Sequence, residues 1–330
     1  MAKLTVASTI DFSGQALLGI DEIDFINPAA SNASATFSGM QLGLPRISPQ
    51  VLVDGSAGHN AIFVNGTGLT VDLSGWRFAN WEAIDTVQIR GTSLAETLNG
   101  SSQNDTILGL GGGDRINGGA GDDIIEGGTG LDRMDGGTGS DTLSYRASSA
   151  AVTIDLATGR ATGGDAFADS FVNFENVSGS VFGDSLTGNS AANVLSGEAG
   201  NDRLSGAGGN DVLFGGDGRD TLTGGNGADS FVYTAIGQSP VGSNRDLITD
   251  FSQSQHDLID LAAIDAISSS TADDSFTFIG TAAFTAAGQV RYLISNGQTI
   301  IQVNVDNNLA PDMEIALSGT RVMAAGDFIL

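Results

Sequence analysis

Apolar residues recur at every ninth position over two stretches of the chain, an interval too short for a helical repeat. The first stretch divides into six nonapeptides from Gly91 to Ser144, and the second into six from Gly179 to Val232. The eighth position is apolar in every copy: Leu98, Ile107, Ile116, Ile125, Met134, Leu143, Leu186, Leu195, Leu204, Leu213, Leu222 and Phe231. Six residues of turn and three of strand fit this unit, with the eighth side chain pointing into a continuous core.

The period predicts an all-β fold, a right-handed parallel β-roll in which two nonapeptides make one coil. Residues 18 apart then lie one strand spacing apart, about 4.8 Å. Three apolar pairs before the first repeat keep the same spacing: Val51 and Val53, Leu69 and Val71, and Val87 and Ile89. We therefore expect the solenoid to begin near residue 50, after a β cap or irregular coils in residues 1–49.

The repeats divide the chain into five predicted segments. They are an N-terminal β-solenoid or cap without glycine loops (1–90), a first repeat block (91–144), an irregular connecting coil (145–178), a second block (179–232) and a C-terminal β cap (233–330). Trp76 and Trp81 are expected to pack on the first segment; stacking on carbohydrate is the alternative.

The connecting coil contains Val152, Ile154 and Leu156, which alternate like a strand. Val152 lies nine residues after Leu143 and Val177 nine before Leu186, so each end should keep the register of its own block. Two arrangements stay open, one roll that runs through and two separate rolls.

The sixth position of the nonapeptide is aspartate in ten of the twelve copies: Asp105, Asp114, Asp123, Asp132, Asp141, Asp184, Asp202, Asp211, Asp220 and Asp229. The exceptions are Glu96 and Asn193. Coiling brings carboxylates 18 residues apart together, where they repel by roughly 1–4 kcal/mol per pair at a surface-like dielectric. A divalent cation between each pair reverses the sign, and calcium prefers such oxygen ligands. The alternative is that these aspartates are solvated turn residues.

Charge and composition exclude several kinds of partner and metal site for this protein. The chain has 48 glycines, 39 acidic against 13 basic residues, a net charge of −26 and no cysteine. Such acidity disfavours nucleic acid and anionic membranes as partners, and the lack of cysteine excludes disulfides and thiolate metal sites. No apolar run reaches the length of a membrane span, and the first residues lack the apolar stretch of a secretory signal peptide.

Nonapeptides such as GGAGDDIIE, GGTGLDRMD and GGDGRDTLT resemble the RTX (hemolysin-type) repeat GGxGxDxUx. The resemblance implies that loop carbonyls and the sixth-position aspartates bind about six to eight calcium ions. The loop glycines that it implicates are Gly112, Gly119, Gly121, Gly128, Gly130, Gly137, Gly139, Gly200, Gly209, Gly216, Gly218, Gly225 and Gly227. The loops over 100–103 and 188–191 lack the usual glycines, and sites beside Glu96 and Asn193 are expected to be weak or empty.

The tail contains DLITDF from Asp246, HDLIDL from His256 and a final GDFIL, and it resembles the C-terminal region of serralysin-type secreted metalloproteases. That resemblance implies a cap with an uncleaved signal read by type I secretion machinery, and export from a Gram-negative cell. Asp246 and Asp250 could bind one more ion or cap a turn.

No catalytic motif emerges from the sequence. The two histidines, His59 and His256, stand far apart, and neither HExxH nor Gly-x-Ser-x-Gly occurs. With Lys3 as the sole lysine, a P-loop is excluded. We therefore predict no enzyme. One candidate function is a structural or interaction protein of the cell exterior, acting by self-association in a matrix, surface layer or biofilm, or in host contact. The other is a glycan-binding or polysaccharide-modifying accessory module carried by residues 1–90.

Overall fold

The computed structural model describes residues 2–6, 9–12, 20–25, 33–38, 47–55, 59–66, 70–82, 84–269 and 274–330. Within these residues the chain forms 34 β-strands and three short 3-10 helices, and no α-helix. It divides into two compact units, residues 1–145 with 159–174 and residues 146–158 with 175–330. The predicted all-β fold built on parallel strands is confirmed.

The first unit contains two long sheets and one of four strands. In spatial order, sheet I joins β7 (Thr70–Asp72), β10 (Thr97–Asn99), β12 (Arg115–Ala120), β14 (Arg133–Thr138), β18 (Ser170–Val172) and β17 (Arg160–Thr162). Sheet II joins β2 (Ile10–Asp11), β4 (Ala33–Ser38), β6 (Asn60–Asn65), β9 (Thr86–Arg90), β11 (Asp105–Leu108), β13 (Ile124–Glu126) and β15 (Thr142–Ser144). The four-stranded sheet joins β1 (Ala2–Val6), β3 (Ile20–Phe25), β5 (Ile47–Asp54) and β8 (Arg77–Ala79). A 3-10 helix covers Gly164–Ala166.

The strands of the second unit also lie in two sheets. Sheet III joins β16 (Thr153–Asp155), β20 (Ser185–Thr187), β23 (Arg203–Gly208), β26 (Thr221–Asn226), β28 (Asp246–Ile248), β33 (Met313–Ser318), β32 (Gln298–Asn304), β31 (Gln289–Ser295) and β30 (Thr277–Phe278). Sheet IV joins β19 (Asn176–Ser178), β21 (Val194–Ser196), β24 (Val212–Phe214), β27 (Ser230–Val232), β29 (Leu258–Asp260) and β34 (Phe328–Ile329). The strands β22 (Ala199–Gly200) and β25 (Asp217–Gly218) pair with each other, and 3-10 helices cover Ile236–Gln238 and Ala325–Asp327.

Within the repeats the strands pair in the predicted register. Ile107 pairs with Ile125, Leu98 with Ile116, and Ile89 with Ile107, each 18 residues apart. All twelve eighth-position side chains are buried. Burying each such side chain contributes roughly 1.5–3 kcal/mol, so the eighth-position column is the main core of each roll.

Before Thr86 the coils are longer than predicted. Val53 pairs with Phe78, 25 residues on, and Val71 pairs with Leu98, 27 residues on. Parallel pairing starts with β1 and β3, so the expected start near residue 50 is wrong. Alternation along a strand shows which side chains face inward but carries no information on coil length. Leu69 and the side chain of Val51 lie outside the described residues.

The two tryptophans pack as predicted. Trp76 is buried, and the ring of Trp81 meets Phe25 at 6.0 Å and Phe78 at 5.1 Å between centroids. Trp76 therefore belongs to the core of the first unit, whereas Trp81 is half-buried and packs against the two phenylalanine rings.

The connecting residues keep the roll pattern with one shift of register. Val177 pairs with Leu195, as its spacing predicts. Val152 does not hold the eighth position, because its neighbour Ile154 pairs with Leu186. In the first unit Phe171 pairs with Met134 and fills the eighth position there.

The C-terminal residues form a different kind of pairing in the second unit. Strands β31, β32 and β33 are antiparallel, and β33 then pairs in parallel with β28. The final strand β34 pairs with β29 of sheet IV. Among the described residues, no helix is long and apolar enough to span a membrane.

Candidate metal centre

The sixth-position residues stack in four columns, two in each unit, each just before the strands of one sheet. In every column the backbone N–H of one residue donates to the Oδ1 of the next, as between Asp105 and Asp123 at 2.8 Å. The columns are Glu96, Asp114, Asp132 and Asp169; Asp105, Asp123 and Asp141; Asp184, Asp202, Asp220 and Asp246; and Asn193, Asp211, Asp229 and Asp257. The structure thus brings together all ten predicted aspartates in the predicted pairs.

The second carboxylate oxygen divides these aspartates into two kinds. Oδ2 is buried and has no hydrogen-bond partner in eight of the ten: Asp114, Asp123, Asp132, Asp141, Asp202, Asp211, Asp220 and Asp229. Burying a charged oxygen without a partner is strongly unfavourable. These eight loops are therefore built to place a bare carboxylate oxygen where a cation can reach it.

The backbone at the second position of the loop separates the two kinds. In the eight loops that residue has a positive φ, and three of them are not glycine: Leu110 (74°), Glu198 (71°) and Ala207 (75°). Non-glycine residues adopt this conformation at a cost. Glycine holds the second position in the other five, at Gly119, Gly128, Gly137, Gly216 and Gly225, again with a positive φ.

In the first two loops of each block the second position donates its N–H to the sixth-position side chain instead. Ser101 N–H lies 2.6 Å from Oδ2 of Asp105, and Ser180 N–H lies 2.5 Å from Oδ2 of Asp184. The same bond joins Thr92 to Glu96 and Asn189 to Asn193. In these four residues that side-chain oxygen has a partner within the protein, so it has less need of an ion than Oδ2 of the eight aspartates.

At several loop glycines, backbone atoms of the neighbouring coil lie so close that a Cβ would not fit. A Cβ placed on Gly119 would lie 2.2 Å from the carbonyl oxygen of Ser101, and one on Gly130 would lie 1.4 Å from that of Gly112. The fourth-position glycines Gly112, Gly121, Gly139, Gly200, Gly209, Gly218 and Gly227 have positive φ as well. Successive loops can therefore stack with carbonyl oxygens in close layers beside the aspartate columns.

Three column members lie outside the repeat blocks and were missed or left open by the sequence analysis. Asp169 accepts the N–H of Asp132, Asp246 that of Asp220, and Asp257 that of Asp229. A signal was present, because Asp169 to Val172 reads DSFV, the same letters as Asp229 to Val232. Asp250 instead accepts the N–H groups of Gly224 and Gly225 at 3.0 and 2.8 Å, so it caps a loop.

A buried tyrosine ends one column in each unit. Tyr145 directly follows the first block and donates its hydroxyl to Oδ2 of Asp169 at 3.0 Å. Tyr233 directly follows the second block and is buried. After burial, the negative charge of Asp246 is the largest cause of its raised pKa. Burial and these carboxylates raise the pKa of both hydroxyls, so they remain protonated donors.

Burial raises the pKa of the column carboxyls. The pKa of Asp105 and Asp202 rises to about 8 and that of Asp114 and Asp123 to about 7. In each case desolvation is the largest cause, backbone N–H groups partly offset it, and neighbouring carboxylates add to it. Without a cation, these four carboxyls therefore keep much of their protonation up to about neutral pH.

The residues present fit calcium better than other metals. In the described part of the chain no three His, Cys, Asp or Glu side chains cluster around a common point, so an ion here would need backbone carbonyls beside the carboxylates. A donor set of oxygens alone suits calcium. His256 is exposed and His59 only faces Thr86, at 3.4 Å.

Comparison with known proteins agrees with this chemistry. The model of the RTX calcium-binding nonapeptide repeat (4 copies) matches residues 90–125, 108–143 and 178–213. The model of the Peptidase M10 serralysin C terminal matches residues 200–330. No curated protein matches the chain significantly.

Two solved modules of the Azotobacter vinelandii mannuronan C5-epimerase resemble part of the chain. The AlgE6R3 subunit is 29% identical over 45% of this chain and 78% of its own, with a TM-score of 0.34. The AlgE6R2 subunit is 30% identical over 46% of this chain and 91% of its own, with a TM-score of 0.37. The chain therefore contains RTX calcium-binding nonapeptide repeats, and its C-terminal residues match the serralysin C-terminal model.

Proposed function

We propose that this protein is a secreted β-roll that type I secretion machinery exports unfolded and that folds on extracellular calcium. Its role is structural or interactive at the exterior of a Gram-negative cell, not catalytic. The observation that carries the proposal is the set of eight buried, unpartnered Oδ2 atoms in the loop aspartates. RTX repeats and serralysin-like regions are typical of secreted proteins of such bacteria.

The eight loops can hold six to eight calcium ions, with their Oδ2 atoms and loop carbonyls as ligands. Bound calcium would supply the positive charge that the buried carboxylates need in order to stay ionised. The chain contributes the rest: the loops fix the carboxylates one strand spacing apart, and the positive-φ residues keep their own N–H groups from satisfying Oδ2. Because the columns exist only in the folded coil, the binding energy becomes folding energy.

Inside a cell, where calcium is scarce, the same columns oppose folding. Repulsion and desolvation of the stacked carboxylates disfavour the coil, and an unfolded chain can pass through a secretion channel. Export can be tested in Gram-negative cells that carry a type I exporter, with the full chain and a chain lacking residues 320–330. We expect only the full chain in the medium; equal export of both would refute a signal at the C terminus.

The alternative, a glycan-binding module in residues 1–90, has less support. Of its natural stacking residues, Trp76 is buried in the core, and the half-buried ring of Trp81 is engaged by Phe25 and Phe78. Light scattering of the whole protein with and without calcium tests the structural role, which predicts calcium-dependent assembly. A particle that stays monomeric in calcium would exclude self-association as its basis.

A further inference from the structure

The arginines on the repeat strands all lie on one sheet of each unit. Arg115 and Arg133 hold the seventh positions of β12 and β14 in sheet I, and Arg203 holds that of β23 in sheet III. On sheets II and IV the seventh positions carry no charge: Thr106, Ile124, Thr142, Val194, Val212 and Ser230. In each unit, therefore, the arginines of the repeat strands lie on only one of the two sheets, in a protein whose net charge is −26.

The two arginines of sheet I are adjacent and unpaired. Arg115 and Arg133 are register partners on parallel strands, so their Cα atoms lie about 4.8 Å apart, where like charges repel. Both are exposed, and neither makes an ion pair or side-chain hydrogen bond with any described residue. Two neighbouring guanidinium groups that make no ion pair form a site where an anion can bind.

A groove runs across the strands beside these arginines. It has a volume of about 260 Å³ and is lined by Arg115 and Arg133 in the seventh-position row and by Asn99 and Asn117 in the ninth. Asp135 also lines it, and its carboxylate accepts a hydrogen bond from Asn173 Nδ2 at 2.8 Å. Guanidinium groups therefore follow one side of the groove, and two amides and the Asp135 carboxylate lie along the other.

Sheet III borders a second groove that contains arginines. It has a volume of about 500 Å³ and is lined by Arg203 and Arg219, by the hydroxyls of Thr153, Ser185 and Thr221, and by Asp184 and Asp202 of the aspartate column. Neither arginine side chain forms an ion pair or hydrogen bond with the residues that the structure describes. Arginines that make no ion pair thus line a groove in each unit, but only the groove of sheet I lies away from the aspartate columns.

The chemistry of the groove selects its ligand. A guanidinium group binds a carboxylate through two parallel hydrogen bonds, and an asparagine amide both donates to and accepts from a hydroxyl. A linear polymer lying along the groove would meet equivalent groups about every 4.8 Å. Single-stranded nucleic acid is bound largely by stacking on exposed aromatic rings, and the one ring that lines this groove, Phe171, is buried.

We propose that the Arg115–Arg133 groove binds an acidic polysaccharide through its carboxylate groups. This inference rests on the calcium-dependent fold and the exterior location proposed above, and it names the class of partner. The groove lies on the outer face of sheet I, apart from the calcium loops at the strand ends.

The test compares two double variants with the same change of charge, both in millimolar calcium. Arg115→Gln/Arg133→Gln removes the groove cations, whereas Arg77→Gln/Arg90→Gln removes two exposed arginines from strands β8 and β9. Binding of a galacturonate hexamer is measured by calorimetry. We expect the groove variant to bind roughly tenfold or more weakly, as losing charge-assisted hydrogen bonds implies, and the control variant to bind like the parent.

Two further probes fix the ligand class, namely a neutral glucan hexamer and a sulfated hexasaccharide without carboxylates. The proposal is overturned if the parent binds no galacturonate, if both double variants lose affinity equally, or if either further probe binds more tightly. Circular dichroism of each variant in calcium is the control for folding. A loss of binding by a folded variant is then separate from any failure of the calcium-dependent fold.

Discussion

A single carboxylate oxygen distinguishes the loops of this protein from ordinary turns. In Asp123, Oδ1 accepts the N–H of Asp105, while the buried Oδ2 has no partner. In Asp105 the same atom is satisfied by Ser101. The difference arises at one backbone position, because Gly119 has a φ of 110° and Ser101 has no positive φ. Conformation at the second loop residue thus decides whether a carboxylate is available to an ion.

Removing one carboxylate from the middle of a column should affect the two calcium sites on either side of it. Asp123 lies between Asp105 and Asp141 in its column, so Asp123→Ala should weaken two neighbouring sites and lower the number of calcium ions bound per chain. Calorimetric titration measures that number. Asp217→Ala, which removes an exposed acid outside the columns, should leave it unchanged. An unaltered number in Asp123→Ala would contradict the pairing.

Adding a methyl group at a fourth-position glycine should destabilise the calcium-loaded roll. In Gly218→Ala the new Cβ would lie 1.5 Å from the carbonyl oxygen of Gly200, at a φ of 146°. We expect the free energy of unfolding to fall by about 1–3 kcal/mol, as measured by urea denaturation in calcium. Gly237→Ala meets no atom within 4 Å and should change little; equal effects would show that loop stacking is not close.

At the scale of elements, the structure of the nonapeptide repeats could be predicted from the sequence more fully than that of the segments around them. The eighth-position column and the aspartate columns follow from the period, since each must recur in phase for the coils to stack. The coils before Thr86 could not be sized, because alternation such as that of Val51 and Val53 is compatible with any coil length. Asp169 escaped notice because its loop lacks the glycines although it keeps the Asp-x-apolar pattern of a strand start.

The tyrosine that follows the first block should stabilise the last rung of its column. Tyr145→Phe leaves Oδ2 of Asp169 without its donor, and we expect the free energy of unfolding in calcium to fall by about 1–3 kcal/mol. Urea denaturation measures the change. In an Asp169→Asn background the same substitution should matter much less; an identical loss in both backgrounds would mean that the hydroxyl acts elsewhere.

At the scale of the whole molecule, the fold concentrates charge that the chain alone does not neutralise. The excess of acidic residues gives a net charge of −26, and four columns of carboxylates run through the two units. In the proposed calcium-dependent fold a cation neutralises these columns, whereas in the unfolded state the carboxylates are solvated and far apart.

Without calcium, stability should fall as the pH rises. The pKa of Asp211 and Asp220 is about 6, that of Asp114 and Asp123 about 7 and that of Asp202 about 8, against an ordinary aspartate value of 3.8. The folded chain therefore binds protons more tightly than the unfolded chain, so its stability is greatest at acidic pH and is lost through pH 6–8. Urea denaturation in calcium-free buffer at pH 5 and pH 8 should show this order; greater stability at pH 8 would contradict it.

The most direct test of the calcium requirement is the circular dichroism spectrum of the full chain at pH 7.5, recorded in excess chelator and again in millimolar calcium. We predict a largely unfolded spectrum in chelator and a cooperative change to a β spectrum as calcium is added. A β spectrum in chelator that calcium does not alter would contradict the claim that the buried carboxylates require an ion in order to fold.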